Sequence, residues 1–125
     1  MNQKPKVLIV DDEPFNVDYL EQILEDANCQ LITASNGKEA LDKIQSEQPD
    51  LILLDLMMPI LDGFAVLAQV KADLVLRDIP VIIISAEHDS KSVVKGIKQG
   101  AEDYLTKPVN AELLMKKLKE YLGES

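Results

Sequence analysis

The sequence predicts a doubly wound α/β domain in which five parallel strands alternate with five helices, and three observations carry that prediction. Short runs rich in apolar residues recur five times along the chain. Between them lie stretches whose apolar residues fall at helical spacing. The central run, Leu51-Ile52-Leu53-Leu54, has no polar alternation and is too short for a buried helix, so it reads as a strand buried on both faces. Such strands, joined by helical crossovers, form a parallel sheet with helices on each side. Each crossover is expected to be right-handed, and the strand order 2-1-3-4-5 suits a chain of this length.

The elements follow in order. Val7-Leu8-Ile9-Val10 is the first strand and runs into Asp11-Asp12-Glu13. Pro14 suits the first turn of a helix with an acidic residue ahead of it as cap, and Leu20, Ile23, Leu24 and Ala27 give that helix one apolar face. Leu31-Ile32-Thr33-Ala34 is the second strand. Asn36 with Glu39 resembles a capping arrangement that opens a helix through Ala40, Leu41 and Ile44, closed by Pro49-Asp50. After the central strand, Asp62-Gly63 leads into a third helix with Phe64, Leu67, Lys71 and Leu74. Pro80 starts Val81-Ile82-Ile83-Ile84, which ends in Ser85. Val93, Val94 and Ile97 mark a fourth helix stopped at Gly100. Asp103-Tyr104-Leu105-Thr106 is a weaker fifth strand ending in Lys107-Pro108. Leu114, Leu118, Tyr121 and Leu122 outline the last helix.

A chain of 125 residues is expected to form one domain. Its formal net charge of -9 argues against a nucleic-acid or anionic-membrane surface and suits a protein that binds a cation. The single cysteine, Cys29, has no intramolecular disulfide partner, so a reducing, cytoplasmic setting is expected. Lys4-Pro5-Lys6 precedes only four apolar residues before acids intervene, so no leader is expected, and no run approaches the ~18 apolar residues of a membrane span.

Ligands of an open parallel sheet bind outside the carboxyl ends of its strands. The first strand delivers Asp11 and Asp12 there, the third Asp55, the fourth Ser85 and the fifth Lys107. Three carboxylates at one spot repel one another, and a hard divalent cation such as Mg²⁺ relieves that repulsion. The lysine and the hydroxyl offer a charge and a donor to an anion. Together they describe a phosphoryl-transfer site in which an aspartate is the nucleophile. Each residue also has a plainer reading. Asp11 and Asp12 suit a helix cap, Asp55 a turn, Ser85 a strand-end hydroxyl, Lys107 a solvated lysine and Tyr104 half-buried core. Those readings would all have to coincide on one sheet edge.

Val10-Asp11-Asp12-Glu13, Leu54-Asp55-Leu56-Met57-Met58-Pro59 with Asp62-Gly63, Ser85-Ala86 and Tyr104-Leu105-Thr106-Lys107-Pro108 resemble the receiver domain of two-component response regulators. The resemblance implies a flavodoxin-like three-layer sandwich, a single receiver domain over 1–125 with its core at about 6–122. It implies that Asp55 accepts a phosphoryl group from a histidine kinase or phosphotransfer protein, with Mg²⁺ held by Asp12 and Asp55, by the Met57 backbone carbonyl and by Asp11 through water. Ser85 and Lys107 would take the phosphoryl oxygens, with the Lys107-Pro108 bond cis. Ser85 and Tyr104 would move together and alter the face of the fourth helix, fifth strand and fifth helix. That face would serve an output partner or a homodimer, with Lys91, Lys95, Lys116, Lys117 and Lys119 as ion-pair candidates or simply solvated. Glu87 is expected to tune phosphoryl lifetime. Such a domain is not an enzyme beyond its own phosphorylation and dephosphorylation. The alternatives are a receiver-like interaction module that is not phosphorylated and an aspartyl-phosphate phosphatase. The phosphatase would carry a second acid two residues after the nucleophile, where this chain has Met57. A nucleotide- or flavin-binding protein is a weaker alternative, since no G-x-G-x-x-G follows the first strand.

Overall fold

In the computed structural model, residues 4–58 and 60–123 are described, so Pro59 of the central motif and the terminal Glu124 and Ser125 lie outside them. The elements alternate as β1 (Lys6–Val10), α1 (Pro14–Leu24), β2 (Gln30–Ala34), α2 (Gly37–Glu47), β3 (Leu51–Leu54), α3 (Gly63–Ala72), β4 (Val81–Ser85), α4 (Ser90–Lys98), β5 (Asp103–Thr106) and α5 (Ala111–Leu122). Every strand pair is parallel, in the order β2-β1-β3-β4-β5. This is the predicted α/β sandwich and the predicted strand order.

Side chains alternate across a strand, so each central strand feeds two cores. Leu8, Val10, Ile52, Leu54 and Ile83 face the layer of α2 and α3, where they meet Ala40, Ile44, Val66, Leu67 and Val70. Val7, Ile9, Leu51, Leu53, Ile82 and Ile84 face the opposite layer and meet Leu20 and Leu24 of α1 and Leu114 and Leu118 of α5. That double burial is why the central runs carry no polar alternation. The edge strands differ: β2 is only partly covered, and β5 buries Leu105 while leaving Asp103 and Tyr104 half-buried.

Three local expectations need correction. Glu13 occupies the N-cap position of α1 but makes no side-chain cap bond; the Glu13 N–H donates instead to Asp11 Oδ1 at 2.9 Å. Leu74 is not part of α3. The helix ends at Ala72, because the Asp73 carboxylate takes the N–H groups of Val75 and Leu76 at 2.8 and 3.1 Å and turns the chain, leaving Leu74 76% exposed. Of the five candidate lysines, Lys117 is committed within the domain, 2.8 Å from Asp103, and Lys95 lies 4.1 Å from the centroid of the Phe64 ring. The Asn36 cap holds, since its side chain accepts the Glu39 N–H at 2.8 Å while Glu39 Oε1 accepts the Ser35 N–H. The fourth helix ends at Lys98, and Gly100 follows at φ 111, a conformation that glycine adopts without strain.

One glycine fixes how the central strand meets α3. The Gly63 N–H donates to the Leu56 carbonyl at 3.0 Å, and a Cβ on Gly63 would stand 2.2 Å from the Asp55 carbonyl oxygen and 2.7 Å from Leu56 Cα. Both obstacles are backbone, so neither can rotate away. Gly63→Ala is expected to cost at least about 2 kcal/mol of folding stability, read as a lowered urea midpoint at unchanged slope. A midpoint equal to that of the wild type would contradict this packing.

Candidate functional site

The carboxyl ends of β1 and β3 lie side by side because the two strands pair from Val7↔Leu51 to Val10↔Leu54. Each strand hands its next residue to the same edge. The Asp55 N–H donates to the Val10 carbonyl at 2.9 Å, and the Asp11 N–H to the Ala34 carbonyl at 3.1 Å. Asp11 and Asp55 are therefore pinned through their backbones where side chains of opposite strands meet, at 2% and 5% exposure. Asp12 is partly exposed beside them. One carboxylate oxygen from each of Asp11, Asp12 and Asp55 lies within 4.8 Å of the others.

Lys107 arrives from β5. Its N–H donates to the Ser85 carbonyl at 2.9 Å, and its ammonium stands 2.8 Å from Asp11 Oδ2 and 3.5 Å from Asp55 Oδ1. The expected cis bond is present between Lys107 and Pro108. One ammonium thus pairs with two of the three clustered carboxylates. Burial and the neighbouring Asp11 charge push the Asp55 carboxyl up to about 6, against the pull of Lys107 and of the Met57 N–H. Burial pulls Lys107 down, but its bond to Asp11 and the charges of Asp55 and Asp11 outweigh that and leave it above the ordinary lysine value. The donor set consists of hard oxygens with negative charge in excess, which fits a hard divalent cation.

Ser85 is fully buried, and its Oγ accepts the Glu87 N–H at 3.0 Å. The Tyr104 hydroxyl donates to the Glu87 carbonyl at 2.6 Å. Sequence reasoning treated Glu87 as a side chain near the site. The structure makes its main chain the shared partner of Ser85 and Tyr104, a role that no residue pattern announces because any residue type supplies it. The Glu87 side chain itself is exposed. Met57 has an exposed side chain, 63% accessible, and only its backbone faces Asp55.

The response regulator receiver domain family matches residues 7–119. This chain belongs to that family. It is 39% identical over 120 residues to the alkaline phosphatase synthesis transcriptional regulatory protein PhoP of Bacillus subtilis, covering 96% of this chain and 49% of that protein. It is also 39% identical over 118 residues to Protein PilH of Pseudomonas aeruginosa, covering 94% of this chain and 98% of that one. The receiver domain of a signal transduction histidine kinase from Syntrophus aciditrophicus superposes with a TM-score of 0.87 at 36% identity, covering 94% of this chain and 89% of that one. The chain therefore spans about half the length of PhoP and nearly all of PilH. Receiver domains are signalling modules that work by phosphorylation, bind Mg²⁺ at an acidic pocket, and interact with histidine kinases and output domains. Among the described residues, no helix is long and apolar enough to cross a membrane.

The raised Asp55 pKa has a sign that can be tested. A carboxyl whose folded value lies above its unfolded value near 4 favours folding when protonated, and that contribution is lost as pH rises through about 6. Asp55→Asn removes the charge at similar volume. In chelator at pH 7.5 the variant is expected to be more stable than the wild type by about 2 kcal/mol, with the advantage gone below about pH 4. Equal denaturation midpoints at pH 7.5 would contradict the electrostatic account.

Proposed function

We propose that this receiver domain spans 1–125, with its core at about 6–122, and is a phosphorylation-activated switch in which Asp55 is the phosphoacceptor. The observation that carries the reading is the Lys107 ammonium set between Asp11 and Asp55 beside a third carboxylate, Asp12. At neutral pH a carboxyl titrating near 6 is largely ionised, as a nucleophile must be. An Asp55 oxygen attacks phosphorus and forms the acyl phosphate. The bond from phosphorus to the donor nitrogen breaks, and its electron pair leaves with the histidine of the kinase or phosphotransfer protein.

Lys107 then has a new anion to hold. Its ammonium sits 3.5 Å from Asp55 Oδ1, so a short shift carries it onto an oxygen of a phosphoryl group held by Asp55. Ser85 accepts a bond from Glu87 while its own hydroxyl proton remains available to donate to the phosphoryl group. Asp11, Asp12 and Asp55, with the Met57 carbonyl, would hold Mg²⁺. When bound, the ion neutralises the carboxylates and the developing phosphoryl charge.

The output follows from the Glu87 main chain. Ser85 holds its N–H and Tyr104 its carbonyl, so drawing Ser85 toward a phosphoryl oxygen disturbs the segment on which Tyr104 rests. That coupling favours one of two arrangements of α4, β5 and α5, the face offered to a downstream output protein or domain or to a second copy. Moving such a balance from mostly off to mostly on takes about 5 kcal/mol of differential interaction, which suits direct hydrogen bonds rather than remote ones. The net charge of -9 supports protein partners rather than nucleic acid or membrane, and the single cysteine, Cys29, supports a reducing, cytoplasmic setting.

Incubation with acetyl phosphate and Mg²⁺ followed by intact mass measurement tests the phosphoacceptor. The wild type is expected to gain one phosphoryl mass and Asp55→Asn none. No gain in the wild type would favour an interaction module that is not phosphorylated. Glu87→Ala is expected to change the decay rate of the phosphorylated form, since an acid beside the site acts on water's approach. An unaltered decay rate would remove Glu87 from the mechanism.

A further inference from the structure

We propose that Tyr19 is a positioning residue for Lys107, acting through the Val109 carbonyl; the inference rests on the phosphoacceptor reading above. The Tyr19 hydroxyl donates to the Val109 carbonyl at 2.8 Å, joining residues 90 positions apart. Val109 is 4% exposed and comes two residues after Lys107. Asn110, next along, caps α5 by accepting the Leu113 N–H at 2.9 Å. The turn that presents Lys107 is thus held upstream by its N–H on Ser85 and downstream by Tyr19.

A lysine side chain has many rotamers, so the place of its ammonium is only as definite as the backbone that carries it. The contacts here close into a ring. Asp11 accepts the Glu13 N–H at the entrance of α1 and also the Lys107 ammonium. Helix α1 begins at Pro14 and carries Tyr19 little more than one turn further on, and Tyr19 returns to Val109 beside Lys107. The layer beneath is shared, since Leu20 and Leu24 of α1 and Leu114 and Leu118 of α5 lie in one cluster with Val109. That apolar contact sets the distance between the two segments. The hydroxyl adds a directional tie between them, which non-directional apolar contact does not supply. Tyr19 is 43% exposed, so its ring packs only in part, and replacing it by Phe keeps that packing while removing the hydroxyl bond.

Tyr19→Phe removes the hydroxyl and keeps the ring. With acetyl phosphate and Mg²⁺ its rate of phosphoryl mass gain is expected to fall about 3- to 10-fold, the range that one lost neutral hydrogen bond produces. Its Mg²⁺ affinity, followed by amide chemical shifts without a phosphodonor, should change by less than the rate does, because Tyr19 touches none of the carboxylates and reaches Asp11 only through Lys107. Exchange of the Lys107 amide should speed up while amides of β1 and β3 keep their wild-type rates. The proposal is overturned if Tyr19→Phe keeps the wild-type rate and Lys107 exchange. It is equally overturned if Mg²⁺ affinity falls as far as the rate and amide exchange quickens throughout the sheet, which marks general loosening. Failure of the wild type to gain mass would sink the phosphoacceptor reading, and Lys107 amide exchange would then decide the positioning role alone.

Discussion

The bond between the Lys107 ammonium and the Asp11 carboxylate, with Asp55 just beyond, is the contact on which the working end of this molecule depends. Adjacent parallel strands deliver like charges to one place, and the fold tolerates this because β5 brings a cation to the same edge. One ammonium does not balance three carboxylates. Burial first, and then the neighbouring Asp11 charge, raise the Asp55 pKa against the pull of Lys107. The site is therefore under electrostatic tension, and both a hard cation and a phosphoryl group change its charge in ways the surrounding donors can answer.

Around this core of charge the scaffold is held by packing on one side and by hydrogen bonds on the other. β1 and β3 are covered on both faces, and Gly63 locks the Asp55 turn against α3 with no room for a side chain. Ser85, Glu87 and Tyr104 instead form a short chain of hydrogen bonds at the margin of the sheet, beside the half-buried β5.

Much of this was legible in the residues. Unalternated apolar runs such as Leu51-Ile52-Leu53-Leu54 permit few structures besides a strand buried on both faces, so the sheet and the edge that gathers Asp11, Asp12, Asp55, Ser85 and Lys107 could be read directly, while the strand order came from the doubly wound arrangement that suits the chain length. Where local expectation failed, the chain offered two solutions with similar chemistry. Glu13 and Asp11 can both serve the first turn of α1, and the buried Asp11 does so while Glu13 faces water. Leu74 fits a helical stripe, but the Asp73 carboxylate offers its neighbours' N–H groups a competing partner and ends α3 first.

Sequence alone determined which residues reach the functional edge, because apolar patterning marks where each buried strand ends and parallel pairing gathers those ends on one side. It also matched the chain to receiver domains. Only the tertiary structure decided what those residues hold. Lys107 meets Asp11 across 96 positions, Tyr19 meets Val109 across 90, and Tyr104 reaches the Glu87 carbonyl across 17. Two of these three contacts end on main-chain carbonyls, which every residue carries, so no side-chain pattern can encode them. Their partners are chosen by how α1, β4 and β5 pack around the sheet, and that packing exists only once the chain has folded.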